Sequence, residues 1–194
     1  MGNREDLLAG ARKVIIERGV AKTTARDIAT AAGVSLAAIG YHFGSKEQLI
    51  SEALSAELGT AIGDNMEELI RAQRGSSLFE GFSELWTTMP SVFANNRDSM
   101  VASMENLVRV AREPDSNNYL EQGLPAIYDE MAVALRAAHP ELDEWQARVV
   151  AQLYFVLVQG LGVLWAIAPE GELPDGDQLA AALLTITAGA PKLD

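Results

Sequence analysis

Polar and basic side chains that could contact a nucleic acid lie close together in the first quarter of the sequence. Tyr41 and His42 can hydrogen-bond phosphate oxygens or base edges, and Arg26 could reach a guanine or a phosphate. Lys46 lies where a helix is expected to begin, so its charge and the free backbone N–H groups of that turn could hold a phosphate. These residue types and their spacing predict a DNA-contacting surface.

Residues suited to catalysis or metal binding are scarce. The chain has no cysteine, which excludes thiol catalysis, disulfides and thiolate metal sites. Its two histidines, His42 and His139, are far apart, and neither belongs to a Glu-x-x-His pair. No glycine-rich phosphate loop follows a strand pattern. We therefore expect no catalytic residue, no metal and no cofactor, and the sequence does not favour an enzyme.

Two short helices are expected to position the DNA-contacting side chains. Thr24-Ala-Arg-Asp27 has the pattern of a capping box, and the helix that it opens should stop at Gly33. Ser35 is a suitable N-cap for a second short helix, Leu36 to Phe43, which Gly44 would end. Two helices joined by a small glycine-containing turn form a helix-turn-helix, whose second helix fits the major groove of DNA, about 12 Å wide.

The second helix of this pair carries small residues. Ala37 and Ala38 would let the backbone approach the base edges, and their methyl groups could meet thymine methyls. An ordinary helical hairpin with Tyr41 and Phe43 in its core is the alternative interpretation. We expect Phe43 to be buried in either case.

Charge is unevenly distributed along the 194 residues. The net charge is −12, but residues 1–50 hold seven Lys or Arg against five Asp or Glu, so the acidic excess lies in the remainder. An acidic body would repel DNA at long range, and DNA contacts therefore have to come from the amino-terminal residues. The 48% hydrophobic content is enough for a sizeable core.

Residues 4–50 resemble the DNA-binding domain of the tetracycline-repressor (TetR) family. The similarity is carried by TTARDIATAAGVS at positions 23–35 and by YHFGSKEQL at positions 41–49. The resemblance implies an all-α homodimer of one-component transcription regulators, mostly repressors that a small molecule releases from DNA. It implies DNA contacts from eight residues: Thr24, Arg26, Ser35, Ala37, Ala38, Tyr41, His42 and Lys46.

Two features depart from the usual pattern of that family. Gly40 occupies a position where the family usually has an aromatic residue that contacts a phosphate, so this contact is lost or shifted to Tyr41. Ala37 and Ala38 replace a common Gly-Thr pair, which leaves fewer polar groups for base contacts.

The rest of the sequence is predicted to be helical as well. Apolar residues recur at helical spacing between turn residues, which predicts an all-α fold of about nine helices. We expect a three-helix helix-turn-helix domain at residues 1–46, called the head below, and a helical ligand-binding and dimerisation bundle at residues 47–194. A long helix over residues 46–73, capped by Ser45 and Gln48, would join the two and could transmit a ligand signal or serve as a passive connector.

Bulky apolar residues at helical spacing within positions 77–138 favour an apolar ligand pocket, although ordinary hydrophobic core is the alternative for each of them. Pro90 and Pro125 lie inside these patterns and should kink or restart their helices. Asn106 and Gln122 are further polar candidates. The ligand-binding candidates are Trp86, Met89, Phe93, Met104, Tyr128, Met131, Phe155 and Gln159.

Residues 149–169 contain no charged side chain, and this stretch is long enough to cross a bilayer. Its two glutamines, its frequent Ala and Gly and the absence of a following basic cluster argue against a membrane span. We expect instead a helix capped by Asp143 and Gln146. Together with a final helix, Asp177 to Ala188, it would form a homodimer interface through residues 143–188.

These features predict a cytoplasmic, homodimeric transcription regulator that binds a palindromic operator and responds to a largely apolar small-molecule effector. The alternative is a helical carrier or binding module for a hydrophobic ligand, with a head that does not function in DNA binding. A measurement of DNA binding separates these two interpretations.

Overall fold

The protein is described by a computed structural model that covers residues 3–112 and 118–188. These residues contain α-helices and two short helical segments of other types, and no β-strand. The α-helices are α1 (Asn3–Arg18), α2 (Ala25–Ala32), α3 (Ala37–Phe43), α4 (Lys46–Leu58), α5 (Asn65–Ala72), α6 (Leu78–Asn95), α7 (Arg97–Arg112), α8 (Asn118–Ala138), α9 (Glu144–Ile167) and α10 (Gly176–Ala188). The predicted all-α fold is confirmed.

Helices α4 and α5 form one continuous helical stretch. A six-residue π-helical segment, Gly59–Asp64, joins them, so that helical backbone runs without a break from Lys46 to Ala72. Counting this stretch once gives nine helices in the described residues, in agreement with the prediction. A π-helical turn is wider than an α-helical one and is rare, and such turns are often found at functional sites.

The described residues divide into two compact units. The first comprises residues 3–63, 96–112 and 118–124, and the second comprises residues 64–95 and 125–188. The first unit thus contains α1 to α4 and also α7, which is distant in sequence. The domain boundary predicted after residue 46 stays a prediction.

The core of the first unit forms where α1 crosses α2 and α4. Gly10 allows the close approach of α1 to α2, because a Cβ there would lie 2.9 Å from the backbone nitrogen of Ala32. Helix α7 packs against α1 and α4, and its Ala102 belongs to the same core cluster. The largest fully buried side chains of this core are Leu7, Ile15, Ile28, Leu49 and Ile50.

The second unit is built around α6, which packs against α5, α9 and α10. Neither proline restarts its helix: α6 continues through Pro90, and α8 continues through Pro125. The predicted cap of α9 is confirmed, because the Asp143 side chain accepts a hydrogen bond from the Gln146 N–H and the Gln146 side chain accepts one from the Asp143 N–H. Together these interactions fix the start of α9.

Helix α9 has a long apolar surface that the rest of the described chain leaves largely uncovered. It is the one helix in the described part of the chain that is long and apolar enough to cross a membrane, with a mean hydropathy of 1.8 over its most apolar 18-residue stretch. Only 22% of this 18-residue stretch is buried within the described chain. The exposed apolar side chains of α9 and α10 include Trp145, Val156, Ile167, Leu184 and Ile186.

Candidate nucleic-acid interface

Helix α2 begins with a complete capping box. The Thr24 hydroxyl accepts a hydrogen bond of 3.2 Å from the Asp27 N–H, and an Asp27 carboxylate oxygen accepts one of 3.3 Å from the Thr24 N–H. The Thr24 hydroxyl also donates to this carboxylate at 2.5 Å. These bonds satisfy two backbone donors that a helix start leaves free, and they hold Thr24 and Arg26 on an exposed turn.

The turn after α2 ends the helix in the way that the sequence predicts. Gly33 adopts a left-handed conformation, with φ 68° and ψ 26°. The N–H of Val34 reaches back to the carbonyl of Ala29 at 3.0 Å, and the N–H of Gly33 bonds the carbonyl of Thr30 at 3.2 Å. This paired closure is a Schellman motif, and it sets the direction in which the chain leaves α2.

The start of α3 differs from the expectation. The helix begins at Ala37, and Leu36 occupies the N-cap position in an α-helical conformation without a side-chain cap. Ser35 contributes its backbone carbonyl instead, which accepts from the Ala38 N–H at 3.1 Å. The prediction that the Ser35 side chain caps this helix is therefore wrong, and its hydroxyl is exposed beside the turn.

Helix α3 divides its residues between the core and the solvent. Tyr41 is 85% exposed, and Ala37 is exposed one turn before it. His42 is half-buried, with its ring 4.8 Å from that of Tyr41. Phe43 is in the core as expected, and the structure also places Ala38 there, at 7% exposure. The Ala38 methyl packs inward, which leaves little of it to meet a thymine.

Lys46 lies at the first residue of α4, half-buried against the start of α2. Its ammonium donates to the Thr23 carbonyl at 3.3 Å and lies 3.4 Å from a Glu47 carboxylate oxygen. The Ser45 hydroxyl caps this helix by accepting from the Gln48 N–H at 3.0 Å. The positive charge of Lys46 is thus held near the amino ends of both α2 and α4, where backbone N–H groups also favour an anion.

Asp27 makes the start of α2 acid-sensitive. The hydrogen bond from the Thr24 side chain lowers the pKa of the Asp27 carboxyl, and so do the Thr24 backbone N–H and the nearby guanidinium of Arg18, while desolvation opposes them. An Arg18 nitrogen lies 3.1 Å from the Asp27 carboxylate. The carboxylate is therefore ionised at neutral pH and supports the cap.

Glu105 on α7 accepts a hydrogen bond from the head, and the sequence did not predict this contact. A Glu105 carboxylate oxygen accepts a hydrogen bond of 2.9 Å from the Val20 N–H, directly after α1. Val20 begins a short 3-10 helix, Val20–Lys22, that leads into α2. The carboxylate thus satisfies a backbone donor at a helix start, 85 residues away in sequence.

Arg109 makes a second contact of α7, one helical turn further on. One of its terminal nitrogens donates to the Ser51 hydroxyl at 2.6 Å, to the Glu47 carbonyl at 3.3 Å and to the Asn106 side-chain oxygen at 2.8 Å. Asn106, predicted as a ligand anchor, is therefore engaged in tying α7 to α4. Their four-residue spacing places Glu105 and Arg109 on one helix face but does not indicate which helix that face contacts.

Seven of the eight ligand-binding candidates lie in the second unit, and Met104 lies on α7 in the first. Trp86, Met89 and Phe93 are at most 2% exposed on α6. Tyr128 and Met131 on α8 are half-buried, as are Phe155 and Gln159 on α9. The ring centroids of Tyr128 and Phe155 are 5.5 Å apart. The Gln122 side chain lies outside the described residues.

No group of three or more His, Cys, Asp or Glu side chains is arranged to hold a metal ion within residues 3–112 and 118–188. His139 is buried at 1% exposure, with Nε2 3.2 Å from the Gln73 side-chain oxygen. The Gln73 amide in turn donates to the Gly81 carbonyl at 2.8 Å. These buried polar groups join the end of α8 to the start of α6.

Comparison with known proteins agrees with this geometry. The family model for bacterial regulatory proteins of the tetR family matches residues 7–53. The HTH-type transcriptional repressor KstR2 of Rhodococcus jostii (strain RHA1) is 41% identical over 66 residues, which cover 34% of this chain and 32% of the repressor. The match therefore spans about a third of the length of that curated relative.

Solved structures match over nearly the whole chain. FadR of Thermus thermophilus, a TetR-family transcriptional repressor in complex with lauroyl-CoA, has a TM-score of 0.65 at 21% identity, covering 99% of this chain and 97% of that one. The TetR-family repressor AlkX of Dietzia sp. strain DQ12-45-1b has a TM-score of 0.62 at 18% identity, covering 96% and 94%. At these identities the likeness shows the fold.

The head is a helix-turn-helix domain of the type found in bacterial regulatory proteins. In sequence, residues 7–53 thus resemble the bacterial regulatory proteins of the tetR family.

Proposed function

We propose that this protein is a cytoplasmic, homodimeric transcriptional repressor that a small-molecule effector releases from its operator. The observation that carries the proposal is the exposure of Tyr41 and Ala37 on α3, together with the capped starts of α2 and α4. A short helix held in this way can enter a major groove, while the flanking helix starts contact phosphates.

The proposed DNA contacts follow from exposure. Tyr41 and Ala37 would face the bases, and Arg26 and Thr24 would reach the backbone from α2. Lys46 would hold a phosphate as a point charge. Ser35 and His42 complete the proposed contacts at the edges of α3.

The proposed dimer forms through residues 143–188. Val156 is 64% exposed, Ile167 72% and Ile186 68%, so α9 and α10 present large apolar side chains to solvent. Exposed apolar side chains concentrated on these two helices support an interface there. A dimer joined there would place its two heads on two operator half-sites, whose centres lie about 34–36 Å apart or a multiple of that spacing.

The proposed effector is a mostly apolar molecule bound within the second unit. Support comes from the buried aromatic and methionine side chains of α6, and from the solved FadR, whose ligand, lauroyl-CoA, carries a long acyl chain. Effector binding would shift the equilibrium between a conformation that binds DNA well and one that binds it poorly. The size of this shift is set by the difference in the effector's affinity for the two conformations.

The proposal is tested by DNA binding of the purified, effector-free protein. Fluorescence anisotropy at low salt, with fragments from the promoter regions around its gene, should reveal at least one fragment bound more tightly than an unrelated sequence. Affinity should fall steeply as salt is raised, because phosphate contacts release counterions.

Tyr41→Ala should weaken binding to the preferred fragment, whereas Lys13→Ala, a charge loss on the exposed side of α1, serves as the control. Equal, weak binding of all fragments by the wild-type protein would contradict a regulator and favour a ligand-binding module with an inactive head.

A further inference from the structure

Three aromatic side chains of the second unit form a closely packed group, called the aromatic trio below. Phe82 and Trp86 lie on α6, and Tyr154 lies on α9. The ring centroids of Trp86 and Tyr154 are 5.6 Å apart, and that of Phe82 lies 5.7 Å from Tyr154. Trp86 is 1% exposed and Tyr154 is fully buried. The trio therefore lies well away from solvent.

Two polar groups of the trio have no hydrogen-bond partner among the described residues. These are the indole N–H of Trp86 and the hydroxyl of Tyr154. Buried polar side chains are nearly always paired, and buried Trp and Tyr usually place their polar atom against an acceptor. Two unpaired donors on rings whose centroids lie 5.6 Å apart thus indicate an acceptor that the described residues do not supply.

The charge of that acceptor follows from the surroundings. Among the described residues of the second unit, the other buried polar side chains are Gln73 and His139, which hydrogen-bond to each other. No buried Lys or Arg of this described region could balance an anion, and burying an unbalanced anion is costly. Desolvation raises the pKa of the Tyr154 hydroxyl, so it stays protonated and able to donate.

The backbone of α6 is weakened beside the trio. Pro90 lies four residues after Trp86 and has no N–H to donate to the Trp86 carbonyl. This turn of α6 therefore lacks one intrahelical hydrogen bond and can open more easily than a regular turn.

We propose that the Trp86 N–H and the Tyr154 hydroxyl together bind an uncharged carbonyl oxygen of an otherwise apolar effector. The two lone pairs of one carbonyl oxygen can accept both bonds. This assignment rests on the proposed function, since it gives the chemical class of the effector. It assigns a role to Tyr154, which the sequence analysis did not select.

The first test is stability without any ligand. Removing a buried hydroxyl that has no hydrogen-bond partner leaves no other group unsatisfied. The Tm of Tyr154→Phe should therefore lie within about 1 °C of the wild-type value, or above it. Thr88→Val, which removes an exposed hydroxyl on α6 that donates to the Glu84 carbonyl, controls for the loss of a hydroxyl. A fall in Tm of more than about 3 °C for Tyr154→Phe would mean that the protein itself pairs this hydroxyl and would overturn the proposal.

The second test uses three matched probes in isothermal titration calorimetry: acetophenone, ethylbenzene and benzoate. The wild-type protein should bind acetophenone about tenfold more tightly than ethylbenzene, and benzoate more weakly than acetophenone. Tyr154→Phe should remove most of the preference for the ketone and leave ethylbenzene binding unchanged, whereas Thr88→Val should keep the preference.

Failure to bind acetophenone, an equal or tighter binding of ethylbenzene or benzoate, or an unchanged preference in Tyr154→Phe would each overturn the assignment. DNA binding is scored separately on the same proteins. A missing ketone preference with intact promoter binding refutes only the assignment, whereas a wild-type protein that selects no promoter fragment refutes the proposed function.

Discussion

The carboxylate of Glu105 accepts a 2.9 Å hydrogen bond from the backbone N–H of Val20. This bond ties the middle of α7 to the turn between α1 and α2, next to the helix that supports α3. This hydrogen bond and the packing of α7 against α1 bring α7 into contact with the segment that leads into α2. Helix α7 is therefore part of the structure that positions the head, although it lies far from it in sequence.

Removing the hydrogen bond between Glu105 and Val20 should destabilise the protein. Glu105→Ala leaves the Val20 N–H without its acceptor and should lower the free energy of unfolding by about 1 kcal/mol, measured by urea denaturation. Glu105→Gln keeps a side-chain oxygen and should restore about half of that loss. Glu17→Ala, a charge loss on the exposed face of α1, is the control. If the Gln and Ala variants are equally unstable, the hydrogen bond is not the cause.

Two glycines of the helix-turn-helix should respond in opposite directions to replacement by alanine. A Cβ at Gly40 would meet nothing within 4 Å, so Gly40→Ala should stabilise the protein by about 0.5–1 kcal/mol through helix propensity. Gly33 has a φ of 68°, so Gly33→Ala should destabilise it by about 1–2 kcal/mol. Urea midpoints of the two variants test this, and a shift of both in the same direction would contradict the geometry of the turn.

The cap of α2 should weaken in acid. The pKa of Asp27 is lower in the folded protein than its ordinary value of 3.8, so the contribution of Asp27 to stability is present above that value. It is lost as the pH falls through the lowered folded-state pKa. Carboxyl NMR should show Asp27 titrating below its ordinary range, and Thr24→Ala should move this titration upward.

Glu80 provides an internal control in the same spectra. Its pKa is also lowered, by hydrogen bonds from the Ser77 N–H and hydroxyl, and Thr24→Ala leaves these bonds in place. Its titration should therefore stay where it is. A joint upward shift of Glu80 and Asp27 would point to a general loosening of the protein instead of the loss of one cap.

Lys46 should contribute to DNA affinity but not to sequence specificity. Lys46→Ala should weaken binding to specific and unrelated DNA alike and reduce the slope of log affinity against log salt by about one, as expected for one lost phosphate contact. Lys13→Ala is the matched loss of one charge on the same head. A loss confined to one base position of the operator would assign Lys46 to base recognition.

The proposed dimer interface can be tested with a pair of equally exposed valines. Val156 on α9 and Val133 on α8 are both 64% exposed, and only Val156 lies within residues 143–188. Val156→Asp should weaken self-association at least tenfold in analytical ultracentrifugation, because it places a charge in an apolar interface. Val133→Asp should leave association unchanged. Equal effects of the two substitutions would place the interface elsewhere.

Local interactions explain why much of this structure was predictable from the sequence. The capping boxes at Thr24 and Asp143 and the left-handed Gly33 depend on partners within five residues, so residue type and spacing determined them. The long helix that starts at Lys46 follows in the same way from its apolar periodicity. Short-range hydrogen bonds and helical periodicity are encoded in neighbouring residues, which is why the all-α fold and the helix-turn-helix were foreseen.

Contacts between distant residues were decided only by the tertiary structure. Three features depend on how separate helices pack. They are the burial of the Ala38 methyl, the hydrogen bond between Glu105 and Val20, and the contact between the rings of Trp86 and Tyr154. Glu105 and Val20 are 85 positions apart, and no local pattern records their pairing. Packing selects one among many compatible pairings of helix faces, and a single sequence does not reveal which faces will meet.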